Sequence, residues 1–296
     1  MTSPAAARLD ARARQHPRPR LLRGARLRST LISAVLFPIS FLWIYPFLWM
    51  VSAAFKTNTE LFSGLGLLPE TAQWENFSRA WTEARISDYF VNTVIITGGS
   101  IAIVLVSVSM MGYVLGRYQF PGKKLVIGFF VVTVFLPEGY TIIPIFELVN
   151  RLGLANSLAG VTLAQAGGAH VVMVLLFAGY FSQIPKELEE AAVMDGASFL
   201  RVFLQIMLPL AKPVVATTII LQFMYSWNAF LQPLVLTLSR PDLRTLAVGI
   251  YAFQGEFYTD WAGMAAAATI SLAPIIVVFL LLQRYFVEGI AGSVKQ

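Results

Sequence analysis

The chain contains no cysteine, only two histidines, and few charged residues for its length. The absence of cysteine excludes disulfide scaffolds, cysteine-ligated zinc and cysteine nucleophiles. Charged residues make up 13% of the 296 positions, whereas soluble domains typically carry about 25%. Hydrophobic residues make up 57%, and the mean hydropathy is +0.68. Since a lipid bilayer accommodates this excess of apolar surface, we expect an integral membrane protein.

A phosphate-binding loop of the form Gly-x-x-x-x-Gly-Lys-Ser/Thr is also missing. The segment Gly122-Lys123-Lys124 lacks both the hydroxyl and the upstream glycine. We therefore expect this chain neither to bind nor to hydrolyse ATP, and to hold no cofactor. The spans predicted below contain no paired carboxylates and only one histidine, so we expect no catalytic residues and no metal site.

Apolar runs predict six membrane-spanning helices, because a helix needs about 20 mostly apolar residues to cross the hydrocarbon core. The expected spans are Leu31–Phe55, Val91–Leu115, Leu125–Phe146, Leu158–Phe181, Val214–Leu236 and Gly263–Leu282. Pro137, Glu138 and Pro144 interrupt the third span, which predicts either a broken helix or a packing kink without a functional role. The predicted fold class is all-α integral membrane, with one domain, 31–296, after a basic tail, 1–30.

Positive charge is distributed unevenly between the segments that join these spans. Of 22 Lys and Arg residues, 16 lie in segments 1–30, 116–124, 182–213 and 283–296. Because positive flanks stay in the cytoplasm, we place these segments and both termini there. Eight of the arginines lie in the first thirty residues, which we interpret as a disordered tail that mainly fixes topology. Because an apolar run follows at once, we expect membrane lipid and no nucleic acid as its partner.

Small residues recur at helix spacing in two of the predicted spans. Gly112 and Gly116 form one such pair, and 265–269 form a second run. Small residues let helices approach closely in lipid. We favour packing within the chain for both, with contact to a partner subunit as the alternative.

The segment 184–213, between the fourth and fifth spans, predicts two short helices joined at a glycine. Pro185 suits the first turn of a helix, and Asp195-Gly196 ends it. An amphipathic stretch from Phe199 to Pro209 follows. Such a pair of helices could lie at the membrane interface or fit a groove on another protein, and the residues alone do not choose.

The order of residues in this segment resembles the EAA signature of ATP-binding-cassette importer permeases. In that family the loop is a coupling helix that docks into a cleft on the ATPase subunit. The resemblance implies that Glu190, Ala191, Ala192, Asp195, Gly196 and Ala197 form this contact. Phe203, Leu208-Pro209 and Pro213 continue the signature. The alternative role of these residues is local, as a helix cap, a tight turn and small packing residues.

Three further segments, 119–123, 226–230 and 283–295, are similar to the sugar-importing permeases of the maltose type, in particular to their second, six-span subunit. Ser293 stands where that family usually has alanine, and the arginine-rich tail lies outside its pattern. The resemblance implies a prokaryotic cell-membrane assembly with a second permease subunit, two ATPase subunits that bind ATP, and an extracytoplasmic solute-binding protein. It also implies import of a sugar or oligosaccharide by alternating access.

Polar residues within spans are costly and often functional, so they are candidates for the solute path. The candidates are Glu138, Tyr140, Gln165, His170, Tyr225, Asn228 and Gln232. Each has a structural alternative, such as a headgroup contact for Glu138, a helix cap for His170 or a bridge between helices for Asn228.

The alternatives differ in cargo and in energy source. The spans carry no basic residues, which favours a neutral solute, either a sugar or a polyol or glycerol derivative. An ion-coupled secondary transporter would need intramembrane carboxylates, and only Glu138 qualifies. Six spans without an inverted repeat also fit that class poorly.

Overall fold

The computed structural model describes residues 20–135, 138–168, 170–251, 253–255 and 258–294. Over these ranges the chain is helical, with one isolated β-bridge between Gln254 and Thr259. It divides into two compact units, the first ending at Met50 and the second beginning at Val51. The first nineteen residues of the predicted tail lie outside the described residues.

The helices are numbered in chain order. They are α1 (Arg20–Ala53), α2 (Asn58–Leu61), α3 (Glu75–Thr82), α4 (Ile86–Arg117), α5 (Lys123–Thr133), α6 (Ile142–Arg151), α7 (Leu158–Ala166), α8 (Val171–Gln183), α9 (Lys186–Met194), α10 (Phe199–Val202), α11 (Leu208–Leu210), α12 (Lys212–Trp227), α13 (Leu231–Leu236), α14 (Leu246–Tyr251) and α15 (Trp261–Val294). Short 3₁₀ turns cover Glu138–Thr141 and Pro241–Leu243, and a π turn covers Phe203–Met207.

Helix α1 begins at Arg20, inside the segment predicted to be a disordered tail. Large apolar side chains are exposed along it; Phe37 is 77% and Trp43 75% exposed. An apolar surface of this kind suits lipid rather than water.

Helix α4 is the centre of the second unit and packs against α7, α8, α12 and α14. Its closest approach is to α8. A side chain on Gly112 would come within 2.3 Å of the Phe177 Cβ, and one on Gly116 within 2.6 Å of the Ala178 carbonyl oxygen. The prediction that this pair serves packing within the chain is confirmed.

The small residues of the sixth predicted span also serve packing within the chain. Ala266 and Ala267 are buried in one core cluster with Ile86, Trp227 and Leu246. Helix α15 packs closely against α12 and α3.

Three helical segments are long and apolar enough to cross a membrane: Ile32–Ala53, Ile86–Arg117 and Trp261–Tyr285. Two bent pairs raise the number to as many as five. The helices α7 and α8 meet at 55°, and Phe199–Leu210 meets α12 at 80°. The described residues therefore show a helical membrane fold, while six spans stay a prediction.

Three predicted spans are divided, and the fourth of the six, Leu158–Phe181, is the bent pair α7 and α8. The third is split between α5, the 3₁₀ turn at Glu138–Thr141 and α6, and neither helix alone reaches the roughly 20 residues of a crossing. The fifth does not run on to Leu236, because α12 ends at Trp227 and α13 follows. Pro144, expected to interrupt the third span, lies within α6.

Candidate functional site

Helix α9 and the turn after it form the first half of the loop between α8 and α12. The Gly196 φ is +79°, in the left-handed region that favours glycine. The Gly196 N–H donates to the Val193 carbonyl at 3.0 Å, and the Ala197 N–H donates to the Ala192 carbonyl at 2.9 Å. These two bonds satisfy carbonyls at the helix end, as in a Schellman motif. Helix α9 thus ends at the glycine that the sequence predicted.

The second half of the loop is one helical arm, residues 199–210, in which the π turn joins α10 to α11. Val202, Phe203 and Met207 are buried, whereas Leu200 and Leu204 on the same arm are exposed. The arm meets α12 at 80°. An amphipathic arm at this angle suits a position along the membrane surface.

The residues of the EAA-like signature divide into an exposed set and a buried one. Glu190, Ala191, Asp195 and Gly196 are exposed, and Ala197 is half-buried. Ala192 is buried in the core cluster beneath the loop, so it supports α9 from inside.

Three large apolar side chains of α9 are also exposed, Leu188 at 46%, Val193 at 57% and Met194 at 87%. Together with the acids Glu190 and Asp195 they give α9 a mixed apolar and acidic surface. Such a surface on one short helix fits a groove on another protein.

Glu189 holds α9 to the end of α4, a role that sequence reasoning missed. The Arg117 Nε lies 2.7 Å from its Oε2. The hydroxyls of Tyr113 and Tyr118 donate to Oε1 at 2.6 and 2.9 Å. Burial raises the pKa of the Glu189 carboxyl, but the hydrogen bonds from the tyrosines and the arginine outweigh it and hold that pKa below its ordinary value.

Tyr113 lies at the centre of an aromatic cluster. Its ring centroid is 5.2 Å from Phe199, 5.3 Å from Phe203 and 5.5 Å from Phe181. One buried tyrosine therefore contacts α8 and, within the helical arm, both α10 and the π turn. A polar residue in an apolar stretch of the second span was the available signal for it.

The solute-path candidates lie in separate places. Glu138 is in a 3₁₀ turn, but its side chain lies outside the described residues. Tyr140 is 81% exposed. The Asn228 amide donates to the Met224 carbonyl at 2.8 Å, at the end of α12, and the Gln232 Oε1 is buried without a hydrogen-bond partner.

His170 and Tyr225 come together near the bend between α7 and α8. His170 is the residue before α8 and has a left-handed backbone, with φ 42°. Its Nε2 is 3.2 Å from the Ala166 carbonyl oxygen. The two rings are 6.4 Å apart and perpendicular. This pair is the closest association of two aromatic candidates.

Gln165 belongs to a buried polar seam between α4, α7 and α12. The seam consists of Thr97, Ser100, Gln165, Gln222 and Ser226. The Ser226 hydroxyl contacts the Gln165 Oε1 and lies 3.2 Å from the Thr97 hydroxyl. The Gln165 Nε2 and the Gln222 Oε1 have no hydrogen-bond partner. Sequence reasoning found Gln165 alone, although the polar residues of α4 and α12 recur at helix spacing.

Trp227, in the segment similar to the sugar permeases, holds α12 against α15. Its indole N–H donates to the Ser271 carbonyl at 3.1 Å, and its ring stacks on Phe223 at 5.0 Å. Only 3% of Trp227 is exposed. Its role in this structure is packing.

Comparison with known proteins shows the family to which this chain belongs. Residues 109–292 match the family described as "binding-protein-dependent transport system inner membrane component". YurM of Bacillus subtilis, a probable ABC transporter permease protein, is 39% identical over 85% of this chain and 83% of its own length. NgcG of Streptomyces coelicolor, a diacetylchitobiose uptake system permease protein, is 32% identical over 94% of this chain and 92% of its own.

A solved bacterial ABC transporter involved in the import of the acidic polysaccharide alginate has the same fold. It matches with a TM-score of 0.76 and 23% identity, over 89% of this chain and 98% of that one.

The fold and the loop after α8 thus define a helical, multi-pass membrane permease. The chain belongs to the family of inner membrane components of binding-protein-dependent transport systems. Members of this family are the non-catalytic permease subunits of ABC transporters, and the ATPase activity lies in partner subunits.

Proposed function

We propose that this chain is the second, six-span permease subunit of an ATP-driven importer that moves a sugar or oligosaccharide by alternating access. The observation that carries the proposal is the exposed surface of α9 with its left-handed glycine at Gly196. Two relatives support the cargo. They are permeases named for diacetylchitobiose and for melibiose, raffinose and stachyose.

The docking partner would be an ATPase subunit. Leu188 and Met194 would enter an apolar groove, while Glu190 and Asp195 would meet basic groups at its rim, because opposite charges orient an interface. Ala191 and Gly196 allow close approach, and Ala197 borders the contact. Ala192, being buried, would act by supporting the helix.

The complete assembly would contain a second permease, two ATPases and an extracytoplasmic solute-binding protein, in a prokaryotic cell membrane. This chain would hold no cofactor, and ATP would bind to the partners. Closure of the ATPases would move α9 and switch the permease pair between two access states. Both termini would be cytoplasmic, on the same side as α9.

For the solute path, the pair His170 and Tyr225 offers ring surface, and the seam residue Gln165 offers a free amide donor. Sugars are bound by stacking on rings and by hydrogen bonds to hydroxyls. Glu138, Tyr140, Asn228 and Gln232 would line other parts of the path.

The test is purification of the chain from native membranes with whatever accompanies it, identified by mass spectrometry. We expect an ATPase, a second permease and a sugar-type binding protein. Gly196→Pro should abolish ATPase association, because proline cannot adopt a positive φ and lacks the N–H that bonds to Val193.

Gly153→Pro is the matched control. Gly153 also follows a helix with positive φ, 71°, and donates its N–H at 3.0 Å, to Asn150. It should affect folding comparably but leave association of the folded fraction intact. A chain that purifies alone, with transport unaffected by Gly196→Pro, would contradict the proposal and favour a secondary transporter.

A further inference from the structure

The ion pair between Arg117 and Glu189 joins three segments at one point. Only 5% of the Arg117 side chain and 16% of the Glu189 side chain are exposed. The same guanidinium donates to the Ile184 carbonyl at 2.6 Å and to the Phe181 carbonyl at 3.4 Å. One arginine at the end of α4 therefore contacts the end of α8, the linker after it, and α9.

The Glu189 carboxylate has a fixed orientation. One oxygen accepts from Arg117, and the other accepts from Tyr113 and Tyr118. A carboxylate with both oxygens hydrogen-bonded in a mostly buried site resists rotation, because each alternative orientation leaves a buried donor without a partner.

A further contact near this ion pair is the packing of α4 against α8. There the backbones approach at Gly112 and Gly116, and a Cβ at either glycine would overlap the facing helix. Helix α4 therefore contacts this region in three places. It contacts α9 through Glu189, the end of α8 through backbone carbonyls, and the body of α8 through the two glycines. The junction of α4, α8 and α9 should therefore deform less readily than a junction held by a single contact.

We propose that Glu189 is a positioning residue that makes α9 and α4 move together, so that displacement of α9 is transmitted along α4 to the polar seam. The seam residue Ser100 lies 17 positions before Arg117, which is about 25 Å along a helix at 1.5 Å per residue. This inference rests on the proposed function, since it requires a partner that displaces α9.

The experiment measures one distance within the chain. Because the chain has no cysteine, Val91→Cys on α4 and Lys186→Cys on α9 provide unique spin-label sites, and both native side chains are exposed. The distance between the labels is measured by pulsed electron paramagnetic resonance in the complete assembly, first without nucleotide and then with ATP and vanadate.

With Glu189 intact we expect one narrow distance that is unchanged by ATP and vanadate. In Glu189→Gln the distribution should broaden, and its maximum should shift when ATP and vanadate are added. Tyr113→Phe keeps the ion pair and the ring but removes one hydrogen bond, so it should give a smaller shift of the same kind. It also keeps the inference testable if Glu189→Gln does not fold.

Asp242→Asn is the matched control. The Arg240–Asp242 pair has the same separation, 2.7 Å, but is exposed, and the variant should behave as the unmodified chain. An ATP-dependent change with Glu189 intact, or an unchanged distance in both Glu189→Gln and Tyr113→Phe, would overturn the inference. If no ATPase accompanies the unmodified chain, the proposed function itself fails, and that result precedes any distance measurement.

Discussion

Two Arg–carboxylate pairs join helices of the second unit, and they differ in how far they are buried. We call Arg117–Glu189 the loop clamp and Arg79–Asp260 the Asp260 clamp. The first has a separation of 2.7 Å with side chains 5% and 16% exposed, and the second has 2.9 Å with 38% and 21%. Similar distances thus occur in a buried setting and in a partly solvated one.

The partners of the two carboxylates also differ. Glu189 accepts from two tyrosines beside its arginine. Asp260 accepts from Asn58 at 3.0 Å and caps α15 by accepting from the Gly263 N–H. The loop clamp therefore depends on charge compensation in a buried site, whereas the Asp260 clamp combines a solvated ion pair with a helix cap. Substitutions should separate the two.

The largest effect is expected from Arg117→Met. This change leaves the Glu189 carboxylate buried without its counter-ion, which typically costs about 3–5 kcal/mol. Reversible unfolding in mixed detergent micelles measures it. In Arg117→Met/Glu189→Leu no charge remains, so most of the stability should return; equal loss in the single and double variants would show that the charge is not the cause.

Gly112→Ala should cost less, about 1–3 kcal/mol, because its new Cβ forces α4 away from α8 and overpacks the contact. The same unfolding measurement applies. Gly98→Ala is the control in the same helix, since nothing lies within 4 Å of a Cβ there. Equal stability of the two variants would show that α4 and α8 do not depend on close approach.

Asp260→Asn should cost about 1 kcal/mol or less, because a partly exposed ion pair contributes little and asparagine still caps a helix. Thermal unfolding of this variant beside Arg117→Met tests the comparison directly. A loss at Asp260 as large as that at Arg117 would mean that burial does not distinguish the two clamps.

The pH dependence of the loop clamp should be the finest distinction. Since the folded pKa of Glu189 is lowered, its contribution to stability is complete above the unfolded pKa and is lost as pH falls through the folded pKa. Unfolding titrations from neutral to acidic pH should show a steeper loss in the unmodified chain than in Glu189→Gln. Parallel curves for the two would contradict this origin.

The sequence predicts the loop between α8 and α12 but not the contacts that hold it against α4. Gly196 was predictable because a glycine after an acidic, helix-forming segment ends a helix. The role of Glu189 was not predictable in this way, since its partners Tyr113 and Arg117 lie more than seventy positions earlier. Pairing over such a distance depends on how α4 packs against α8, which hydropathy does not encode.

Among the predicted spans too, some features were predictable from the sequence and others were not. The helices α4 and α15 are continuous and are long and apolar enough to cross a membrane, as the sequence predicts. The bend before His170 contains no proline, but Gly167 and Gly168 lie there. Paired glycines often mark a helix break, and this signal was available in the sequence. The seam was missed because Thr97, Ser100 and Gln222 are single polar residues whose meeting depends on helix rotation.

The most direct test of the account is where this chain touches its ATPase. Met194→Cys on α9 and Leu68→Cys in the segment before α3 are matched, at 87% and 89% exposed. Each is labelled with a photoactivatable benzophenone maleimide and irradiated in native membranes. The account predicts that Met194→Cys crosslinks to an ATP-binding subunit and Leu68→Cys does not. Crosslinking from Leu68→Cys alone, or from neither in an assembly that imports solute, would contradict it.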